Sequence, residues 1–137
     1  MRYLADANVM SESMRPSPDP RVLERLHANR DDIATAAPVL HELRFGALRL
    51  RPSRRRRDLE DYLEQVIRTN MPILPYDAAA AEWHAGERAR LVSVGRTPPY
   101  LDGQIAAIAA VNGLTLVTAN VADFATFSGL QVEDWRS

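Results

Sequence analysis

The stretch LADANVMSE, residues 4–12, places an acid directly after the first predicted strand. A short, mostly apolar strand at about residues 2–5 runs directly into Asp6, and the polar residues Asn8, Ser11 and Glu12 follow in the predicted helix from Asn8 to about Met14. An acid at the carboxyl end of a first strand, at the mouth of an α/β sheet, can cap the next helix or can hold a metal ion. Asp6 by itself leaves both roles open.

Length and composition predict one globular domain spanning residues 1–137. Apolar residues make up 46% and charged residues 26%, as in soluble domains, and the absence of an eighteen-residue apolar run argues against a membrane protein. The sequence has no cysteine, which excludes disulfides and thiolate zinc sites, and its first residues do not resemble a signal peptide. We therefore expect a cytoplasmic protein.

Strand and helix patterns alternate along the chain. Strands are expected near residues 2–5, 32–36 and 72–76, in a segment ending at Thr118, and in the final LQVED; helices are expected near 8–14, 20–28, 38–50, 54–69, 78–92 and 101–112. This alternation predicts an α/β fold, a central and mostly parallel sheet of about five strands flanked by helices on both faces. In such sheets ligands bind at the carboxyl ends of the strands.

Acids and amides fall at that predicted edge. Asp6 ends the first strand, Glu42 lies one turn into the helix after the second, and Asp102 shares a helical face with apolar residues that pack on the sheet. Asn120 and Asp123 follow the fourth strand. Singly, these residues have structural explanations: Asp6, Asp102 and Asp123 as helix caps, and Glu42 as a solvated helix residue.

Convergence of several carboxylates favours a metal site over these separate explanations. Two carboxylates ~4 Å apart cost roughly 4 kcal/mol at an effective dielectric of about 20, and a divalent cation offsets this repulsion. Oxygen-only ligands favour Mg²⁺ or Mn²⁺ over zinc. Because such an ion activates water and stabilises charge on phosphate oxygens, the pattern predicts phosphodiester hydrolysis.

Four motifs in order resemble the PIN-domain family, and within it the VapC and FitB-like toxins of bacterial toxin–antitoxin pairs. They are LADANVMSE, APVLHELRFG, GRTPPYLDGQIAAIAAVNG and LVTANVADF, and the resemblance spans residues 2 to about 135. It implies a Mg²⁺- or Mn²⁺-dependent endoribonuclease toxin that acts on RNA until a cognate antitoxin occupies its site. It also implies a homodimer, and a larger hetero-oligomer with the antitoxin.

By motif position, Asp6, Glu42 and Asp102 correspond to the family's catalytic, metal-binding acids. Asn8 corresponds to a polar neighbour that supports the site, and Thr118 to a hydroxyl that lines it. The chain departs from the fullest acidic pattern at Asn120, where an amide stands in place of a carboxylate. Either Asp123 substitutes for this acid or a single metal binds, and the number of metals stays open.

Net charge is −1, so no overall field attracts nucleic acid, but seven arginines lie between Arg44 and Arg57. Arg54 and Arg55, within this group, are either part of a solvated helix face or contacts to the RNA backbone. Arg96, in the loop before Asp102, is the better-placed phosphate contact, unless it serves only loop solubility. Two other functions remain open: a PIN-type RNA-processing nuclease without a toxin role, and a catalytically weak module that binds RNA or a partner.

Overall fold

The computed structural model describes residues 1–136 and contains a five-stranded, wholly parallel sheet. Its order is β3-β2-β1-β4-β5, which places the first strand at the centre. The strands are β1 (Tyr3–Ala5), β2 (Ile33–Ala36), β3 (Ile73–Leu74), β4 (Thr115–Val117) and β5 (Val132–Glu133). The predicted fold class is confirmed, and each strand is shorter than its sequence pattern predicted.

In the described part of the chain, seven α-helices connect and flank the strands: α1 (Ala7–Met10), α2 (Pro20–Ala28), α3 (Ala37–Leu48), α4 (Arg54–Tyr62), α5 (Ala78–Ser93), α6 (Tyr100–Val111) and α7 (Val121–Phe124). The single helix predicted from Asn8 to about Met14 is divided, because Ser11 ends α1 and a 3-10 turn follows over Glu12–Met14. A further 3-10 turn spans Arg30–Asp32. The long helix predicted after Ser53 changes at Leu63–Arg68 into a π-helical turn.

Caps and buried stripes explain where the longer helices begin and how they pack. The sequence predicts Asp77 as the N-cap of the helix near 78–92, and in the structure it caps α5, since its Oδ1 accepts from the Ala80 N–H at 2.9 Å. Helical spacing in the sequence predicts a buried stripe in α3 made of Leu40, Leu43, Ala47 and Leu50. In the structure Ala47 is buried and Leu40 and Leu43 are partly buried against the core, but the helix is most deeply buried at Pro38 and Val39. These two residues lie in the first turn, where α3 leaves the buried end of β2.

The core lies between the sheet and its helices, and α6 packs most closely against it. All five residues from Ile105 to Ala109 are buried, and three of them are alanines, which allow close approach of the helix. Because α6 leads into the start of β4, its N-terminus lies at the carboxyl edge of the sheet. No helix within the described residues is long and apolar enough to cross a membrane.

Candidate active site

Asp6 is the most buried of the candidate acids, with 6% of its surface exposed. It directly follows β1 and caps α1, since its Oδ1 accepts from the Val9 N–H at 3.0 Å. Burial raises the pKa of Asp6 above its usual value, although hydrogen bonds from the Thr118 hydroxyl and from the Val9 and Asn8 amides act in the opposite direction. The side chain is therefore rigidly held, and the capping role left open by the sequence is confirmed.

Glu42 and Asp102 approach the same edge from two helices. Glu42, in α3, is exposed, and partial desolvation together with the charges of Asp6 and Asp102 raises its pKa. Asp102 lies in the first turn of α6, where desolvation and the charges of Asp123 and Asp6 raise its pKa. A helix cap does not explain this position, because Pro99 occupies the N-cap of α6. The three acids brought together by the fold thus act on one another electrostatically.

The segment that follows β4 supports Asp6 through Thr118, which is fully buried. Thr118 hydrogen-bonds the Asp6 carboxylate, and its Oγ1 accepts from the Asn120 N–H at 3.0 Å. Asn120 occupies the N-cap of α7 without a capping side-chain bond, so the predicted cap at Asp123 was wrong. Asp123 instead lies exposed in the first turn of α7, and its charge acts on Asp102.

Within residues 1–136, no three acidic or histidine side chains lie close enough to enclose a metal ion by themselves. Mg²⁺ does not require such a cage, because it binds proteins through one or two carboxylates and keeps several waters. A nearby positive charge also stabilises the ionised form of carboxylates whose pKa values are raised. Asp6, Glu42 and Asp102 thus have the chemistry to hold a hydrated hard cation, and lack the geometry of a fully protein-liganded site.

Asn8 lies between these acids and a cavity of about 300 Å³. Its backbone N–H donates to Asp6, and its exposed side chain lines the cavity together with Ala119. The cavity is also lined by Glu12, which is buried, pairs with Arg15 at 3.2 Å and accepts from the Asp19 N–H at 3.0 Å. Glu12 was not assigned a role from the sequence. Its contacts show that it holds the loop over Arg15–Asp19 against the end of α1.

The arginines proposed as RNA contacts all lie on the surface. Arg54 and Arg55 begin α4, are exposed and have no acidic partner within ion-pair distance among residues 1–136. Arg56, one residue further on, pairs with Glu60 at 2.6 Å, as expected for a solvated helix face. Arg96 is exposed in the loop between α5 and α6.

The sequence matches the PIN domain family over residues 3–129. Among curated relatives, the tRNA(fMet)-specific endonuclease VapC of Shigella flexneri is 32% identical, with 98% of each chain covered.

Two solved structures share this fold and more than a quarter of the sequence. A crystal structure of FitAcB from Neisseria gonorrhoeae has a TM-score of 0.88 and 32% identity over 97% of both chains. VapBC-5 from Mycobacterium tuberculosis, a member of the VapBC family of toxin–antitoxin systems, has a TM-score of 0.70 and 30% identity over 97% of this chain and 96% of that one.

Proposed function

Because this chain belongs to the PIN-domain family, we propose that residues 1–137 form one PIN domain that acts as the endoribonuclease toxin of a toxin–antitoxin pair. The proposed reaction is Mg²⁺- or Mn²⁺-dependent hydrolysis of RNA phosphodiester bonds. One observation carries it: Asp6, Glu42 and Asp102, from distant parts of the sequence, act on one another at the carboxyl edge of the sheet. This is the edge at which parallel α/β sheets bind ligands.

Each acid has a distinct part in the proposed mechanism. Asp6 is held by Val9, Asn8 and Thr118, and fixes one carboxylate at the end of β1. Asp102 supplies a second carboxylate from the start of α6, and Glu42, the most exposed of the three, supplies a third from α3. A bound divalent cation supplies Lewis-acid stabilisation of the phosphate charge and activation of water.

Cleavage of RNA by the purified protein in Mg²⁺ tests the mechanism. We expect wild type to cleave, Asp102→Asn to lose cleavage, and the control Asp61→Asn, at an exposed position of α4, to behave as wild type. Calorimetry with Mn²⁺ should show binding to wild type and none to Glu42→Gln. Wild-type protein that neither cleaves RNA nor binds Mn²⁺ would instead favour the binding module, for which Asn120 in place of an acid is the supporting feature.

The proposed partners are an antitoxin and a second copy of this chain. Co-expression with a neighbouring small open reading frame should rescue growth and yield a stable hetero-oligomer, as expected from the VapBC systems that share the fold. Failure of any such partner to rescue or co-purify would favour the RNA-processing nuclease. Sedimentation at micromolar concentration should show a homodimer, and monomer alone would contradict that part of the proposal.

A further inference from the structure

His84 occupies space that a side chain at Gly103 would otherwise fill. His84 lies in α5 with 4% of its surface exposed, and Gly103 is the residue immediately after Asp102 in α6. A Cβ built at Gly103 would lie 2.1 Å from His84 Nε2 and 2.6 Å from Cδ2. Contacts under 3.0 Å are essentially never seen for a real Cβ, so the imidazole and a larger residue at 103 exclude each other.

The imidazole is held on its other sides and cannot simply turn away. The Tyr76 hydroxyl and His84 Nδ1 share a hydrogen bond of 2.8 Å. The Tyr100 ring packs against the imidazole with centroids 4.8 Å apart, and the Arg88 guanidinium lies 5.3 Å from the Tyr100 centroid. Rotating His84 out of the gap would therefore break a hydrogen bond and two ring contacts, including the edge contact with Tyr76.

This crowding is specific to Gly103. The other two helical glycines, Gly46 in α3 and Gly86 in α5, have no atom within 4 Å of a built Cβ. A glycine inside a helix costs stability relative to alanine, so one placed against a buried ring requires a packing explanation. Here the explanation is the close approach of α5 to the first turn of α6.

We propose that His84 is a positioning residue for the nuclease site, and that by filling the gap at Gly103 it sets where the first turn of α6 places Asp102. The consequence for cleavage rests on the proposed function. His84 acts through packing alone, and touches neither RNA nor metal in this scheme. Because a misplacement of 1 Å at a reacting group costs on the order of 100-fold in rate, even a small shift of α6 should be measurable.

The test is a pair of complementary substitutions with a matched control. Gly103→Ala introduces the clash and should lower kcat about 100-fold, with KM changed by less than about threefold. Adding His84→Ala to Gly103→Ala removes the ring that the new methyl group meets, and should restore at least about tenfold of the lost rate. Gly86→Ala makes the same chemical change in an open part of α5 and should leave kcat unchanged.

Mn²⁺ affinity, measured by calorimetry, should follow the same order as kcat in the four proteins, and thermal unfolding shows whether each is folded. A Gly103→Ala protein that cleaves as wild type, or a double variant no better than Gly103→Ala, would overturn the inference. If the Gly103→Ala protein does not fold, His84→Ala alone tests the inference, because it introduces no clash. It should lower kcat with KM unchanged and weaken Mn²⁺ binding, and unchanged values would overturn the inference.

Crystal structures of the variants distinguish failure of the proposed function from failure of the inference about His84. If wild type cleaves no RNA, the nuclease assignment fails, yet the role of His84 can still be decided. Displacement of Asp102 relative to Asp6 in Gly103→Ala, with its return in the double variant, supports the positioning role. Asp102 in an unchanged position in Gly103→Ala overturns it.

Discussion

Replacing Asp6 by Asn should stabilise the protein, and replacing it by Ala should destabilise it. The comparison separates the effect of the Asp6 charge from that of its role as a helix cap. Asn retains an oxygen to accept from the Val9 N–H, and its amide donates to Thr118 Oγ1 where the carboxylate accepts from the Thr118 hydroxyl. It removes the charge that acts on Glu42 and Asp102. Relief of that repulsion contributes about 1 kcal/mol after allowance for solvent screening at exposed Glu42. Ala gains the same relief but loses a helix cap, about 1 kcal/mol, and a buried hydrogen bond, about 1 kcal/mol.

The two variants should therefore differ by about 2 kcal/mol in the free energy of unfolding, with wild type between them. For a chain of 137 residues, an unfolding entropy of about 2.1 cal/mol/K per residue converts 1 kcal/mol to about 3.5 °C. We expect Asp6→Asn to melt about 3.5 °C above wild type and Asp6→Ala about 3.5 °C below, at pH 7 in a chelator. Both should fail to cleave RNA.

Asp77 provides the control, because it caps α5 with the same geometry and is exposed. Asp77→Asn should melt close to wild type, and the melting temperature of Asp77→Ala should be lower by the amount that one helix cap contributes. Both variants should retain cleavage. An Asp6→Asn protein that melts at or below wild type would refute the reasoning, since the acids would then not repel one another. Cleavage by Asp6→Asn at the wild-type rate would refute the catalytic role.

Asp102→Asn should stabilise the protein at neutral pH, because its pKa is raised on folding and only the charged form is penalised. The gain should be full above the raised pKa and vanish as the pH falls through the usual aspartate value of about 3.9. Urea unfolding across this range measures it, and a difference that stays constant, or that changes in the opposite direction with pH, would contradict a raised pKa. Saturating Mn²⁺, at about 100 times its Kd, should stabilise wild type by about 2.7 kcal/mol and leave the thermal midpoint of Asp102→Asn unchanged; equal shifts in both would point to binding elsewhere. Replacing Arg54 and Arg55 together by Gln should reduce the slope of log affinity for single-stranded RNA against log salt by about 1.4, and an unchanged slope would make them a solvated surface.

Much of the fold could be predicted because parallel α/β proteins alternate strand and helix patterns along the sequence. Local chemistry also placed Asp77 correctly at a helix start. The π-helical turn at Leu63–Arg68 could not be predicted, since buried Leu63 and Ile67 are four positions apart, a spacing also typical of an α-helix. Its presence depends on packing that the local pattern does not encode.

Sequence patterns predicted the acids of the candidate site and two of their supports, Asn8 and Thr118, but not the contacts of His84 and Glu12. Asp6, Glu42 and Asp102 could be grouped because strand order brings their segments to one edge. His84 gave no such signal, because it shows no metal-ligand spacing in the sequence and only the crossing of α5 with α6 places it against Gly103. Glu12 was likewise missed, because its burial depends on the loop over Arg15–Asp19 folding back onto it.

The central position of β1 also governs when the molecule can become active during synthesis. β1 needs β4 as its second neighbour, and Asp6 needs Thr118 as its hydrogen-bond donor, so both wait for a segment that is distant in sequence. Contacts of such long sequence separation form late and slowly. A growing chain on the ribosome that has not yet reached β4 lacks a finished sheet, and the cell therefore meets an assembled carboxylate edge only after β4 has been synthesised.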